Sequence, residues 1–242
     1  MLFLQTGLFC VILLWLNFSV AFAQDISLPE PNFKKPVLQA LKNQRSVRSF
    51  DGKDLSDQEL SELLWAAFGI NRPETGGRTA PSGGNSRETD IYVILKKGAY
   101  LYNPQEHRLD LVTSEDLQPI LWTQDYAQSV PVHLAYVSNL NRFTQKLPIE
   151  YTMMHSGLIA QNVNIYCASE GLGSVVRSPR DSGKLHKALN LTENQKVTAW
   201  HAVGHPGVAE NLQSDKGGGK SGRKGSAPTG KGGSIPPLVR PN

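Results

Sequence analysis

The chain has 242 residues, with 25 Lys and Arg against 21 Asp and Glu and a net charge of +4. Residues 211–242 carry six basic residues and one aspartate, a net +5, so residues 1–210 sum to −1. Because residues 1–210 are nearly neutral, their charge does not indicate nucleic-acid binding. Cys10 lies in an apolar N-terminal stretch, so Cys167 stands alone in the body, which excludes an intrachain disulfide and a cysteine-based metal site.

Residues 1–23 have the form of a secretory signal. The segment 7–22, "GLFCVILLWLNFSVAF", is apolar and uncharged, and "AFA" at 21–23 places small residues where a signal peptidase reads them. We therefore expect cleavage after Ala23 and export, to the periplasm or outside the cell. The leading "MLFLQT" lacks Lys and Arg, which leaves a membrane anchor at 7–22 as the alternative.

The C-terminal tail, residues 211–242, is rich in Gly, Ser, Lys and Pro. It has too few apolar residues to offset the entropy of ordering, so we expect it to be disordered. Within it, "GSAPTGKG" (225–232) nearly matches a phosphate-binding loop, but Gly232 stands where that motif needs Ser or Thr. The basic charge of the tail suits weak contact with a polyanion or a cell surface.

The body, residues 24–210, begins with two predicted helices and a loop. A short helix starts at Pro36, which suits a first helical position. A second helix starts at a capping box formed by Ser56 and Glu59 and ends at Gly69. The loop that follows, 71–89, is rich in Gly, Ser, Pro and Arg, and loops of this length inside a domain are often functional.

The rest of the body alternates between strands and helices. We expect strands at 90–97, 130–138, 173–178 and 195–206, a hairpin at 99–112, and helices at 114–129, 148–170 and 180–190. The helix at 114–129 is expected to be disturbed early by Pro119. This mixture predicts a single α+β domain, with a mixed, mainly antiparallel sheet flanked by helices.

Apolar residues predict the core of this domain. On the long helix we expect one buried face made of Met154, Leu158, Ile159, Val163, Tyr166 and Cys167. Four aromatic residues are also predicted in the core, with Trp122 as a second candidate for the border of a ligand pocket: Trp65, Phe68, Trp122 and Trp200.

Two site patterns are weak. His201 and His205 in "HAVGH" are four strand positions apart, about 13 Å, which is too far to share one metal ion. Ser82 and Ser174 lie beside glycines, but neither has the G-x-S-x-G setting of a hydrolase nucleophile. A hydrolase is therefore only a weak alternative.

The stretch "RSVRSF" (45–50) is a stronger candidate. Arg45, Ser46 and Arg48 place two guanidiniums and a hydroxyl within four positions, where a helix ends. Guanidiniums fork onto phosphate oxygens, and a serine hydroxyl adds a short hydrogen bond. By itself this pattern fits a phosphate-binding turn and a solvated helix end equally well.

Three motifs in order, "RSVRSF", "TAPSGGNSRETDIYV" and "NIYCASEGLGSVV", resemble the FMN-dependent nitroreductase family. The resemblance spans residues 36–206 and is closest to a branch that shares features with the azoline oxidases of thiazole-forming peptide pathways. It implies an α+β fold, an intertwined homodimer, and FMN bound at the subunit interface.

The resemblance also implies roles for individual residues. The clamp on the phosphate and ribitol matches Arg45, Ser46 and Arg48. The loop that approaches the flavin from the partner subunit matches Ser82, Gly83, Gly84 and Asn85, where glycine lets the backbone come close to a flat ring. The segment at the ring edge, where a backbone N–H can reach N5, matches Glu170, Gly171, Leu172 and Gly173.

The sequence departs from the family at two places. Gln44 stands where the family usually has a basic residue, and it can donate to phosphate without adding charge. Many members carry a Lys/Arg pair after the last strand, and here the only candidates are Arg223 and Lys224 in the tail. We expect Arg177 to substitute at the phosphate, and Gln124 to make a further polar contact to the flavin ring.

The implied activity is that of an FMN-dependent oxidoreductase working by a ping-pong cycle, with NAD(P)H or another electron donor. No side chain is expected to act as an essential acid or base. Two alternatives stay open: a non-catalytic flavin-binding protein, and a surface or polyanion-binding protein that acts through the tail. Because NAD(P)H is scarce outside the cytoplasm, export requires another donor, an oxidase that uses oxygen or a quinone, or a domain anchored on the cytoplasmic side.

Overall fold

The structure is a computed structural model that describes residues 24–30, 37–143, 149–179 and 182–207. The expected signal and the expected tail, with its near-match to a phosphate-binding loop, lie outside the described residues. Among those residues, no helix combines the length and the apolar character needed to cross a membrane.

The sheet is mainly antiparallel, as predicted. In chain order the strands are β1 (Ile26–Ser27), β2 (Ile70–Arg72), β3 (Gly77–Arg78), β4 (Thr89–Leu95), β5 (Gly98–Asn103), β6 (Arg108–Thr113), β7 (Val132–Asn139), β8 (Gly173–Arg177) and β9 (Gln195–Gly204). Seven of them form one sheet in the order β1-β6-β5-β4-β7-β9-β8, and β2 pairs with β3. Every paired strand is antiparallel to its neighbour.

The helices lie on both faces of the sheet. They are α1 (Val37–Asn43), α2 (Asp57–Phe68), α3 (Gln118–Leu121), α4 (Ile149–Glu170) and α5 (Ser182–Ala188). Alternation along β4 divides the core, because Ile91 and Val93 join the cluster under α2 and α4, whereas Tyr92 and Ile94 join the cluster with α3 and α5. The α+β class is therefore confirmed.

Local sequence signals fix several boundaries. The capping box is present, since Ser56 Oγ accepts from the Glu59 N–H at 3.2 Å and the Ser56 N–H donates to the Glu59 carboxylate at 2.7 Å. Gly69 ends the helix, with its N–H bonded to the carbonyl of Trp65. The predicted hairpin is formed by β5 and β6.

The predicted helix at 114–129 is wrong. The structure has only the one-turn helix α3 and a separate 3-10 turn at Asp125–Ser129. Pro119, which has no N–H to donate, occupies the first turn of α3, and the backbone of Trp122 leaves the helical region at ψ 60°. As a result Trp122 is 41% exposed, so its assignment to the core is wrong.

The predicted buried face of α4 is only half correct. Ile159, Val163 and Cys167 are buried, and Tyr166 is half-buried. Met154 and Leu158 are exposed, so their predicted burial is wrong within one chain. The helix has two apolar faces, and only one of them packs on the sheet.

The remaining core predictions concern Cys167 and the aromatic residues. Phe68 and Trp200 are buried, and Trp65 is half-buried. Cys167 is a free thiol in the core, and burial raises its pKa to about 12. A thiol of this kind stays protonated at neutral pH and contributes packing rather than chemistry.

Candidate functional site

The clamp segment, residues 45–50, lies in an extended conformation against the ends of β8 and β9. Ser46 forms a parallel bridge with Ser174, and the Val47 N–H donates to the Ser174 carbonyl at 2.9 Å. Phe50 forms an antiparallel bridge with Pro206. The segment is thus held by backbone hydrogen bonds on both sides of its centre.

Burial divides the side chains of the clamp segment into two sets. Val47 and Phe50 are buried with Val175 and Ala202. Arg45, Ser46 and Arg48 are exposed. The three predicted anion-binding side chains therefore reach solvent from one stretch that is anchored by its backbone.

Gly173 determines how closely the clamp segment approaches β8. A Cβ atom at this position would lie 2.7 Å from Cγ1 of Val47 and 3.2 Å from Cε1 of Phe50. Real Cβ atoms do not come this close to other carbons, so only glycine allows the observed packing. This role is independent of any contact between Gly173 and a ligand.

A pocket of about 210 Å³ joins the clamp segment to the turn after α4. Its lining includes Arg45, Gly171, Leu172 and Ser174. Gly171 has φ +73°, and a Cβ atom there would meet nothing within 4 Å. The space above its backbone is open, which is the arrangement that lets a flat ring approach the main chain.

A second pocket, of about 480 Å³, collects the other predicted polar residues. It is lined by Arg48, Gln124, Tyr126 and Arg177 together with Val175 and Val176 of β8. The Tyr126 hydroxyl is buried without a hydrogen-bond partner among the described residues, and burial raises the pKa of this phenol. Tyr126 therefore remains a neutral donor beside two guanidiniums.

Arg177 already has structural partners. Its guanidinium donates to the carbonyl of Leu121 at 3.1 Å and to the hydroxyl of Thr123. It also lies over the rings of Tyr126 and Trp200, at 5.6 and 5.8 Å from their centroids. These contacts hold the α3 region against β8, and the predicted role of Arg177 at a phosphate stays a prediction.

The flavin loop, residues 82–85, lies elsewhere in the chain. It forms a 3-10 turn at Gly83–Asn85, with Gly84 at φ +60° and Asn85 at φ +55°. The Gly83 N–H donates to Nε2 of His155 at 2.9 Å, near the start of α4. Gly171, just past the end of α4, follows His155 by 171 − 155 = 16 positions, which is about 24 Å at the usual rise of a helix.

One chain therefore brings together two of the three predicted groups. The residues around the two pockets are Arg45, Ser46, Arg48, Gln124, Gly171, Leu172, Gly173 and Arg177. Gln44 precedes the clamp segment, and Glu170 ends α4 with its carboxylate accepting from the Ser169 hydroxyl. The flavin loop, Ser82, Gly83, Gly84 and Asn85, contacts the opposite end of α4.

Sequence reasoning missed His155, Glu88 and Tyr126. His155 and Glu88 are 67 positions apart and meet only in the fold. Tyr126 was included in a helix that the structure does not form. Glu88 lies within the second of the three motifs, three positions after Asn85, but the sequence does not show that its carboxylate meets His155.

The "HAVGH" histidines have separate partners. His201 is buried and its Nδ1 lies 2.8 Å from the Tyr136 hydroxyl, whereas Nε2 of His205 lies 3.8 Å from a carboxylate oxygen of Glu59. Among the residues that the structure describes, no three His, Cys, Asp or Glu side chains are grouped to hold a metal ion.

The residues that surround the pockets fit FMN. Two exposed guanidiniums and a hydroxyl on one anchored stretch suit a phosphate. The open backbone at Gly171 suits the edge of a flat ring, and the second pocket adds the polar side chains of Gln124 and Arg177. The donor set is cationic and neutral, which matches an anionic cofactor.

Comparisons with known proteins agree with this geometry. The model of the nitroreductase family matches residues 41–205. A candidate nitroreductase of Methanocaldococcus jannaschii is 30% identical over 182 residues, 70% of this chain and 91% of the relative. A solved candidate nitroreductase from Ralstonia eutropha is 36% identical with a TM-score of 0.72, covering 77% of this chain and 91% of its own.

A more distant structure has the same fold. A candidate nitroreductase from Desulfovibrio desulfuricans, solved in complex with FMN, is 22% identical with a TM-score of 0.55, covering 76% of this chain and 92% of its own. The family match covers more than half of the chain and includes the clamp segment, the flavin loop and the turn after α4. The chain belongs to the nitroreductase family.

Proposed function

We propose that this chain is an FMN-dependent oxidoreductase that takes electrons from a donor and passes them to an acceptor in a ping-pong cycle, after export from the cytoplasm. Membership of the nitroreductase family supports a flavin oxidoreductase in general. The FMN complex of the related fold in Desulfovibrio desulfuricans supports the choice of flavin. The finer parts of the proposal depend on the geometry below.

The observation that carries the proposal is the anchored clamp segment beside Gly171. FMN, when bound, supplies the hydride and electron transfer. The chain's own groups bind and orient it: Arg45 and Arg48 neutralise the phosphate, and Ser46 donates a hydrogen bond. The turn at 171–173 lets the main chain approach the ring edge. In the cycle, the donor leaves before the acceptor binds at the same exposed face.

We also propose that the protein works as a homodimer with one site at each end of the interface. The clamp segment and the flavin loop contact opposite ends of α4, so a single chain does not bring both to one ligand. A two-fold axis across α4 would place the His155 end of one copy near the Gly171 end of the other. Each site would then be completed by the partner's flavin loop.

An apolar surface on α1 and α4 supports this dimer. The two helices pack together, and Leu38 of α1 is 81% exposed, with Met153 and Met154 of α4 exposed by 55% and 53%. Large apolar side chains exposed on neighbouring helices are typical of interaction surfaces. Sedimentation of the wild-type chain and of a Met154→Arg variant checks the proposal, with a wild-type dimer and a monomeric variant expected.

Export sets limits on the electron donor. If residues 1–23 direct export, NAD(P)H is scarce where the protein works. The donor would then be an exported redox partner, or the enzyme would oxidise its substrate and pass electrons to oxygen or a quinone. An anchor at 7–22 that leaves the domain on the cytoplasmic side would restore access to NAD(P)H.

A visible absorption spectrum tests the proposed function. The purified chain is mixed with FMN, freed of excess ligand, and then mixed without oxygen with NADH or NADPH. A flavin spectrum that bleaches supports a reductase. A flavin spectrum that stays unchanged points to an oxidase with another substrate or to a non-catalytic flavin protein. A chain that retains no FMN would contradict the proposal and favour a role for the basic tail, which predicts salt-sensitive polyanion binding lost on deletion of residues 211–242.

A further inference from the structure

We propose that His155, oriented by Glu88, is a positioning residue that holds the flavin loop in its ligand-facing conformation. This proposal rests on the proposed function, because it assumes that the flavin loop contacts FMN in the dimer. It adds a requirement that the motifs themselves do not contain: a buried side chain on α4 sets the geometry of a loop more than 65 residues earlier in the chain.

The hydrogen bonds define the direction of each contact. The Gly83 N–H is a donor, so Nε2 of His155 accepts, at 2.9 Å. The other ring nitrogen, Nδ1, then carries the proton and donates to Oε1 of Glu88 at 2.6 Å. Glu88 also accepts from the Ser86 hydroxyl at 2.6 Å. One fixed tautomer of His155 therefore connects the loop backbone to α4 and to Glu88, the residue before β4.

The flavin loop needs such an anchor because its backbone is strained. Asn85 has φ +55° and Arg87, two residues beyond the loop, has φ +47°, both in the left-handed region that side chains other than glycine rarely adopt. Conformations of this kind persist only where surrounding contacts impose them. The carbonyl of Ser82 accepts from the Asn85 N–H, and the hydroxyl of Ser82 accepts from the N–H of Arg87. The bond from Gly83 to His155 connects the loop to a different element.

The His155–Glu88 pair is poorly explained as a source of stability. The side chains of both residues are almost completely buried, 3% and 0% exposed. A buried ionisable pair gains little over apolar residues of similar volume, because removing both groups from water is costly. The pair is better explained as a means of orienting a ring nitrogen, because residues behind a binding site commonly hold the ligand-contacting groups in place.

Two conservative substitutions distinguish the roles of the two ring nitrogens of His155. The amide of a glutamine reaches the place of Nε2, so His155→Gln keeps an acceptor for the Gly83 N–H and weakens the contact to Glu88. The amide of an asparagine reaches only the place of Nδ1, so His155→Asn keeps the contact to Glu88 and loses Gly83. Ser156→Ala is the matched control, since it removes a buried hydrogen bond to Thr198 from the next position of α4 without touching the loop.

The experiment uses the full-length chain and two measurements. Titration with FMN, followed by flavin fluorescence, gives Kd for each variant. Amide hydrogen exchange of the FMN-free chain reports on Gly83. We expect His155→Asn to raise Kd about tenfold, from the loss of one positioning hydrogen bond, and to speed exchange at Gly83. His155→Gln and Ser156→Ala should stay within about threefold of the wild type, with Gly83 still protected.

Equal increases of Kd in the Gln and Asn variants, or slow exchange at Gly83 in His155→Asn, would overturn the proposal. Far-UV circular dichroism identifies a variant that fails to fold. In that case the other His155 variant is compared with Ser156→Ala, and its Kd and its exchange at Gly83 either match the expected values or contradict the proposal. If the wild-type chain binds no FMN, the proposed function fails and this proposal fails with it. If the wild type binds FMN but the variants do not differ, only this proposal fails.

Discussion

The clamp segment and the flavin loop are held in different ways. Backbone bridges tie the clamp segment to β8 and β9, and Gly173 sets its distance from the sheet. Hydrogen bonds within the flavin loop and one bond to His155 hold the loop. Backbone hydrogen bonds tolerate most side-chain changes. The clamp segment should therefore be sensitive mainly to changes in the sheet that it packs on and in its own charges. The flavin loop, in contrast, depends on one distant residue.

Acid should destabilise the sheet that carries the clamp segment, and this is the largest effect that we expect. Burial lowers the pKa of His133 on β7 and of His201 on β9 to about 3, and the charge of Arg177 acts in the same direction on His133. The unfolded chain thus binds more protons than the folded chain between about pH 6.5 and pH 3. The free energy of unfolding should fall by a few kcal/mol as the pH falls through this window.

Urea midpoints at about pH 7.5 and about pH 5 check the acid effect. His133→Asn should reduce the difference between the two midpoints, because asparagine keeps a donor for the carbonyl of Ala127 but does not titrate. Ser156→Ala, which removes a buried hydrogen bond but no titrating group, is the control and should leave the difference unchanged. A pH dependence that is the same in all three proteins would contradict the prediction.

The charge of the clamp segment is tested by Arg45→Ala. A hydrogen bond from a guanidinium to a phosphate contributes about 1.5–3 kcal/mol, so Kd for FMN should rise about tenfold to a hundredfold. The melting temperature should hardly change, because the side chain is exposed. Lys184→Ala removes one charge from the surface of α5 and should not affect binding. Equal losses of affinity in the two variants would assign the effect to net charge alone.

Gly173→Ala tests the packing of the clamp segment against β8 without changing any charge. The added methyl group would lie 2.7 Å from Val47, so the clamp segment must move. We expect a loss of about 1–3 kcal/mol in unfolding free energy together with weaker FMN binding. Gly183→Ala, in α5 with nothing within 4 Å of the new methyl group, is the matched control and should be neutral or slightly stabilising. If Gly173→Ala binds FMN with wild-type affinity, the position of the clamp segment on β8 does not determine FMN binding.

Arg177→Ala separates a structural role from a phosphate role. Loss of the bonds to Leu121 and Thr123 should cost about 1 kcal/mol of stability, measured by urea unfolding. If Arg177 also contacts the phosphate, Kd for FMN rises severalfold, less than in Arg45→Ala. Unchanged affinity with reduced stability would limit Arg177 to its contacts with the α3 region.

The smallest expected effect is a gain from Gln44→Arg. An added positive charge next to the clamp segment should lower Kd for FMN about twofold to fivefold. High salt should remove the gain, because exposed charges are screened. Gln105→Arg adds the same charge in the hairpin turn and serves as the control. No gain at low salt would show that Gln44 points away from the phosphate.

Local chemistry made part of this fold predictable. The capping box at Ser56 and Glu59, the hairpin of β5 and β6, and the strand β4 each depend on residues close in sequence, and the structure confirms all three. The helix expected at 114–129 fails for a local reason too, since Pro119 permits a first turn and the backbone leaves the helix at Trp122. The exposed apolar residues of α4 could not be assigned, because periodicity finds an apolar face without saying whether the sheet or a second copy covers it.

The sequence by itself determined the fold class, since the pattern of strands and helices follows from residues close in sequence, and the resemblance of three motifs identified the family. It also singled out Arg45, Ser46 and Arg48 as candidates for binding an anion, which stays a prediction. Only the tertiary structure decided which groups meet. It brought Arg48 to Gln124 and Arg177 across β8, separated the flavin loop from the clamp segment by most of the length of α4, and joined His155 to Glu88. Contacts between residues 50 to 130 positions apart depend on how the sheet and helices pack together, and no local pattern encodes that packing.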